Sequence, residues 1–168
     1  MNPMREIRVE KIVLNIGTGE GGEKLDKAEK VLGVIAERRP KRTYVKKSIR
    51  DWGIKEGEPI GCMVTLRRES AIKVLKSLLD AVEEKIKADS FDDGGNLSFG
   101  IKEHIDIPGM SYDPDIGIFG MDVSVVLERR GYRIKRRSRR PKSVPRSHKI
   151  TTGEAINFMS EKFKIEVL

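Results

Sequence analysis

Residues 129 to 149 read RRGYRIKRRSRRPKSVPRSHK and hold eleven Lys or Arg with no acid. No other stretch constrains the fold as much. Eleven like charges repel one another, and Pro141 and Pro145 forbid a continuous helix. The segment is therefore expected to be extended or mobile alone and ordered only by a polyanion. It also accounts for the whole charge balance. The 168 residues carry 34 Lys+Arg and 26 Asp+Glu, a net of +8; removing the eleven leaves 23 cations against 26 acids, a net of −3. The expectation is one domain over 1–168, with a slightly acidic body and a basic RNA-binding extension at 129–149. Arginine dominates the run, and arginine both forks onto phosphate and stacks on bases. Nucleic acid is the partner that fits best; a nuclear-import signal or an acidic membrane surface are the alternatives.

The body has enough apolar residues, 38% of the chain, to build a core. No run of 18 apolar residues exists to cross a membrane, and the first residues lack the apolar stretch of a signal peptide. One cysteine, Cys62, excludes an internal disulfide and a cysteine-based zinc site, and two distant histidines, His104 and His148, argue against a histidine metal centre. The chain reads as a cytosolic, reduced protein with no metal and no cofactor.

Two periodicities alternate along the body. Residues 9–17 place Ile12, Leu14 and Ile16 on one face and Lys11, Val13 and Asn15 on the other, a half-buried strand. Residues 23–38 space Leu25, Ala28, Val31, Leu32, Ile35 and Ala36 as a helix that Pro40 closes. A short strand follows at 42–47, then a charged, glycine-rich loop at 48–58. Residues 59–67 turn Ile60, Cys62, Val64 and Leu66 inward and Gly61, Met63, Thr65 and Arg67 outward. Residues 70–87 carry a helical stripe from Ile72 to Ile86. Strands are expected at 97–103 and 121–128, and 165–168 is a candidate for a last one. Thr151 to Glu154 matches a capping box opening a short helix. The fold class is α+β, an antiparallel or mixed sheet with helices packed on one face.

Gly17 to Gly22 matches G-x-G-x-x-G between a strand and a helix, as a dinucleotide-binding turn requires. The match is rejected. Glu10, Lys11 and Asn15 sit in a strand that a parallel sheet would bury on both faces, and Glu20 puts a carboxylate beside the intended phosphate. A nicotinamide-dependent enzyme is thereby the weaker rival, and a DNA-architectural protein is the other. The acidic pairs Asp92-Asp93 and Asp113/Asp115 fit turn chemistry. His104 reads as structural and Cys62 as an inert core thiol. Trp52, alone of its kind, lies in a loop among Lys46, Lys47, Arg50 and Lys55. It either stacks on a base or folds back to anchor its own loop. Asn15 and Thr65 are uncharged polar residues at outward strand positions. If the two strands are neighbours, they present hydrogen-bonding groups from one open sheet face, together with Lys11 and Arg67.

Three stretches, VEKIVLNIGTGE, KKSIRDWGIKEGEPIGCMVTLR and FGIKEHIDIPGMSYDPDIGIFGMDVSVVL, closely resemble the universal 5S-RNA-binding family numbered five of the large ribosomal subunit. The resemblance covers about residues 5 to 167. A start close to the first motif, the YDP-x-IGI-x-G segment and the basic extension resemble the archaeal and eukaryotic branch. It implies a structural ribosomal protein, not an enzyme, seated in the central protuberance. The implied partners are 5S rRNA, large-subunit rRNA, the P-site tRNA elbow, a small-subunit head protein at an intersubunit bridge and a neighbouring 5S-binding protein. The family's 5S contacts fall on Asn15, Arg38 and Thr65, with Arg38 where bacterial members usually carry Gln. Lys11, Arg67, Lys41 and Arg42 extend that surface. Lys47, Ser48, Arg50, Trp52 and Lys55 fall in the tRNA-facing loop. The basic segment is expected to meet large-subunit rRNA through Arg133, Lys135, Arg136, Arg137, Arg139, Arg140 and Lys142.

Overall fold

A computed structural model describes residues 2–168. Five strands form one sheet: β1 (Ile7–Gly17), β2 (Lys41–Tyr44), β3 (Pro59–Arg67), β5 (Leu97–Ile101) and β6 (Met121–Arg129). Their order is β2-β3-β1-β6-β5, with every neighbouring pair antiparallel. Three helices pack on the sheet: α1 (Glu23–Ala36), α2 (Arg68–Asp80) and α3 (Thr152–Phe163). The architecture is the expected α+β class.

Alternation in the strands sets which face is buried. Ile12, Leu14, Ile16, Cys62, Leu66, Val123, Val125 and Leu97 are essentially inaccessible, and they meet Leu25, Ala28, Leu32, Leu75 and Leu78 of α1 and α2. Each large side chain so removed from water contributes roughly 1.5–3 kcal/mol. The opposite face has no helix over it. One residue, Glu10, is an extra member of β1: the register against β6 slips between Val9 and Lys11. This bulge turns Glu10 toward the uncovered face.

Helix α1 ends before Pro40 can act. Glu37 takes the left-handed conformation at φ 49° and stops it at Ala36. The larger departure is in α2, expected to run to residue 87. It stops at Asp80, and Glu83 and Glu84 turn left-handed at φ 54° and 59°. Lys85–Ile86 is instead a strand, β4, parallel to β7 (Glu166–Val167). Glu166 donates its amide to Glu84 O at 2.8 Å, and Leu168 donates to Ile86 O at 2.9 Å. Ile86 is buried as a strand residue, which its helical spacing had disguised. The capping box forms as expected: Thr151 Oγ1 accepts from Glu154 N, and Glu154 Oε2 accepts from Thr151 N.

Candidate nucleic-acid interface

The register of the central strands assembles the open face. Lys11 stands opposite Arg67, Val13 opposite Thr65 and Asn15 opposite Met63. Asn15 and Thr65 are therefore diagonal neighbours on adjacent strands, about 7–8 Å apart by the geometry of antiparallel pairs. On the other side of β1, Asp122 and Ser124 face Asn15 and Val13. Among the described residues neither the Asn15 amide nor the Thr65 hydroxyl is hydrogen-bonded to another protein group. Lys41 joins this face opposite Met63. Its neighbour Arg42 does not. Arg42 points to the helix side, where Nε donates to Glu29 Oε2 at 2.9 Å and Nη2 to Asp26 Oδ1 at 2.6 Å. Glu29 foremost, then Asp26, hold its charge more firmly than usual. Arg38 is exposed in the connection between α1 and β2, off the strand face.

The loop after β2 is a small built hairpin. Val45 donates to Glu58 O, Gly57 donates to Val45 O, and Ile49 and Ile54 bond each other in both directions. Ser48 Oγ accepts from Glu56 N at 2.8 Å. A single 3-10 turn, Arg50–Trp52, forms the tip, and Gly53 reverses the chain at φ 66°. Trp52 is 73% exposed, so the loop is anchored by its backbone and not by its indole. Lys47, Arg50 and Lys55 are exposed around it.

The segment 129–149 departs from its expected character: the structure does not show it as an extension. It lies against the body in two short 3-10 turns, Tyr132–Lys135 and Arg146–His148. The Tyr132 hydroxyl donates to His148 O and accepts from Ile150 N, both at 3.1 Å. Val144 and Ile150 are buried. Arg129 is buried and its Nη2 donates to Glu154 Oε1 at 2.6 Å. Arg136 clamps two carboxylates of the sheet, with Nη1 on Glu10 at 2.7 Å and Nη2 on Glu128 at 3.0 Å. Glu10 first, then Glu128, hold its guanidinium more firmly charged. Arg8 and Arg67 approach the same two acids from the other side. The segment thus covers the end of the sheet face nearest Lys11 and Val126 and leaves the Asn15–Thr65 end bare. A hollow of about 550 Å³ separates it from the sheet. Arg133, Lys135, Arg137, Arg139, Arg140 and Lys142 form no salt bridge among the described residues, although Lys135 Nζ lies 5.1 Å from the Tyr132 ring centre.

Sequence reasoning missed Glu10 and Glu128 as partners of the basic segment. A carboxylate in an otherwise apolar strand was the available signal. The remaining candidates resolve as structural groups. Thr18 and Gly19 of the glycine-rich turn both donate their amides to Ile60 O, which ties the turn to β3. Asp92 accepts from Gly94 and Asn96 amides, and Asp113 from that of Asp115, which is turn chemistry. His104 is buried and its Nδ1 accepts from Phe119 N. Burial pushes the Cys62 thiol up to about 11.

The chain matches known proteins along nearly its whole length. Residues 2–55 match the family model for ribosomal protein L5, and residues 59–158 match the model for the C-terminus of the same ribosomal family. Large ribosomal subunit protein uL5 of Methanosphaera stadtmanae is 49% identical over 167 residues, covering 99% of both chains. The proteins of the same name from Sulfolobus acidocaldarius and Methanoculleus marisnigri are also 49% identical over 167 residues, covering 99% of this chain and 94% and 100% of theirs. An uncovered polar sheet face, a strongly basic segment and these relationships together show that the chain belongs to the uL5 family, structural and non-enzymatic proteins of the large ribosomal subunit.

Proposed function

We propose that this ribosomal protein binds 5S rRNA through the bare end of its sheet face, large-subunit rRNA through segment 129–149, and the elbow of the P-site tRNA through the hairpin at 45–58. The central protuberance is its place, beside another 5S-binding protein and within reach of a small-subunit head protein at an intersubunit bridge. The observation that carries the 5S assignment is the co-facial pair Asn15 and Thr65 on the bare end, with Lys11 and Arg67 flanking it where the covered end begins. An amide and a hydroxyl each offer a donor and an acceptor, and the flanking cations supply phosphate contacts. Such a flat surface suits the splayed bases of a non-helical RNA loop better than a duplex groove. At the hairpin, an exposed indole flanked by Lys47, Arg50 and Lys55 suits stacking on a base.

The test is a filter-binding titration with a 5S rRNA transcript. Asn15→Ala and Thr65→Ala each weaken binding by roughly 1–3 kcal/mol, the cost of leaving a buried RNA group unpaired. Unchanged affinity in the folded double variant sinks the assignment. Duplex DNA competing as well as 5S rRNA favours the architectural alternative.

A further inference from the structure

The fold treats the cations of its basic segment in two different ways. Arg129, Arg130 and Arg136 are each given a carboxylate: Glu154, Glu6, and the pair Glu10 and Glu128. Arg133, Arg137 and Arg139 are given none among the described residues. These three, with Ile134 and Ser138, instead line one hollow of about 510 Å³. Gathering three arginines around one cavity without a counter-charge runs against their mutual repulsion, and the arrangement gains when an anion enters.

Resting on the reading that this segment meets rRNA, we propose that residues 131–139 form a phosphate-binding cleft for the RNA backbone. Arg136 is its positioning residue and not one of its contacts. The cleft has a built wall. The amides of Arg136 and Arg137 both donate to Arg133 O at 2.9 Å, and Lys142 N donates to Ile134 O at 3.1 Å, closing the loop. Arg137 Nε donates to Arg140 O at 2.9 Å, which fixes the plane of its guanidinium. Both terminal nitrogens of Arg136 are already engaged by Glu10 and Glu128. That clamp, with the Tyr132 hydroxyl anchored on His148 and Ile150, holds the loop in place. The loop that carries the three arginines is thereby held before RNA arrives, and less ordering cost remains for binding. The hollow is larger than one phosphate group, and Ile134 gives it an apolar side against which a ribose packs.

The experiment uses the full chain with two RNA probes, a 5S rRNA transcript and a large-subunit rRNA transcript, titrated over a range of salt. In the triple variant Arg133→Gln, Arg137→Gln, Arg139→Gln, affinity for large-subunit rRNA falls on the order of 100-fold at about 0.1 M salt. Its salt slope becomes shallower by roughly two to three, and 5S binding is unchanged. A second triple variant, Arg140→Gln, Lys142→Gln, Arg146→Gln, removes the same charge outside the cleft and loses less than a tenth as much. Equal losses from the two overturn the cleft in favour of diffuse attraction. A wild-type chain without affinity for large-subunit rRNA overturns the underlying reading and the cleft with it. Arg136→Gln lowers affinity at an unchanged salt slope; a slope reduced by about 0.8 makes it a phosphate contact and overturns its positioning role. Inorganic tripolyphosphate that binds as tightly as RNA at equal phosphate concentration overturns RNA as the ligand.

Discussion

Arg136→Ala tests whether segment 129–149 is held by the body in the free protein. The magnitude follows from what the guanidinium leaves behind. Glu128 has a side chain only 4% exposed and Glu10 one of 11%, while Arg136 itself is 45% exposed. Removing one partner of a fully buried pair costs about 3–5 kcal/mol, and an exposed pair is worth about 0–1. Two features place this clamp between those limits. Its cation is half in water, and each acid keeps a second arginine, Arg8 at 3.0 Å from Glu128 and Arg67 at 3.7 Å from Glu10. The expected loss is about 2–3 kcal/mol, or roughly 5–10 °C in Tm for a chain of this size. Urea denaturation of the RNA-free protein measures it. Arg139→Ala is the control, since it removes an equal charge with no partner and changes stability by at most about 0.5 kcal/mol. Adding Glu10→Gln to Arg136→Ala recovers up to about 1 kcal/mol, because it removes the acid left with only the more distant Arg67 at 3.7 Å. If Arg136→Ala is no more destabilising than Arg139→Ala, the clamp does not hold the segment and the reasoning fails.

Two further predictions concern the structure around α3. The Glu154 carboxylate is held below its ordinary 4.5 by the Thr151 amide first and by Arg129 beside it. A depressed folded value means its contribution is fully present above the unfolded value near 4.5 and fades as pH falls through the folded one. Glu154→Gln should therefore cost up to about 1 kcal/mol in denaturation at pH 7, and the deficit should shrink as the pH falls through the folded value; a deficit that persists or grows in acid contradicts this. Gly95 has φ +74°, and a Cβ there would lie 2.7 Å from Ile150 Cγ2, so Gly95→Ala should cost roughly 2–4 kcal/mol from backbone strain and overpacking. Gly19→Ala, at φ +73° with open space around it, should cost only about 1 kcal/mol in the same thermal melt, and equal losses would exclude the packing component.

Local pattern reached the five strands of the main sheet and two of the three helices because one buried face imposes its period on consecutive residues. Ile12, Leu14 and Ile16 announce their strand without reference to anything distant. The end of α2 was hidden for the opposite reason. Val82 and Ile86 continue the helical spacing, and what overrides them is pairing with Glu166–Val167, 81 residues further along. The site divides in the same way. Asn15 and Thr65 were legible as outward polar residues, and their co-facial placement needed only that two strands be neighbours. The clamp was not legible as a pair: Glu10 stood out as a carboxylate in an apolar strand, but Arg136 is 126 residues away and nothing local names it as the partner. The acid-free run therefore looked uncompensated in sequence while its acids waited elsewhere in the chain.

A body with a net charge of −3 outside the basic segment should repel RNA if charge acted through its total. It acts locally, because exposed charges more than about 8–10 Å apart are largely screened at physiological salt. The side chains on the uncovered sheet face are therefore the ones that matter. Arg8, Lys11, Lys41 and Arg67 stand there against Glu10, Asp122 and Glu128, and Arg136 adds a fifth cation from above. These five positive and three negative groups leave a net of +2. Two of the three acids are already bound to arginines, which leaves Asp122, opposite Asn15, as the one without an ion-pair partner among the described residues. Much of the remaining acid lies on other surfaces, as with Asp26 and Glu29 under Arg42 on the helix side and Glu37 beside Lys73. The bare end itself carries Lys41, Lys102 and Asp122 around Asn15 and is close to neutral. Such a surface discriminates by hydrogen bonds and shape, while the three arginines of the cleft, unpaired by any acid among the described residues, supply phosphate attraction from a separate patch.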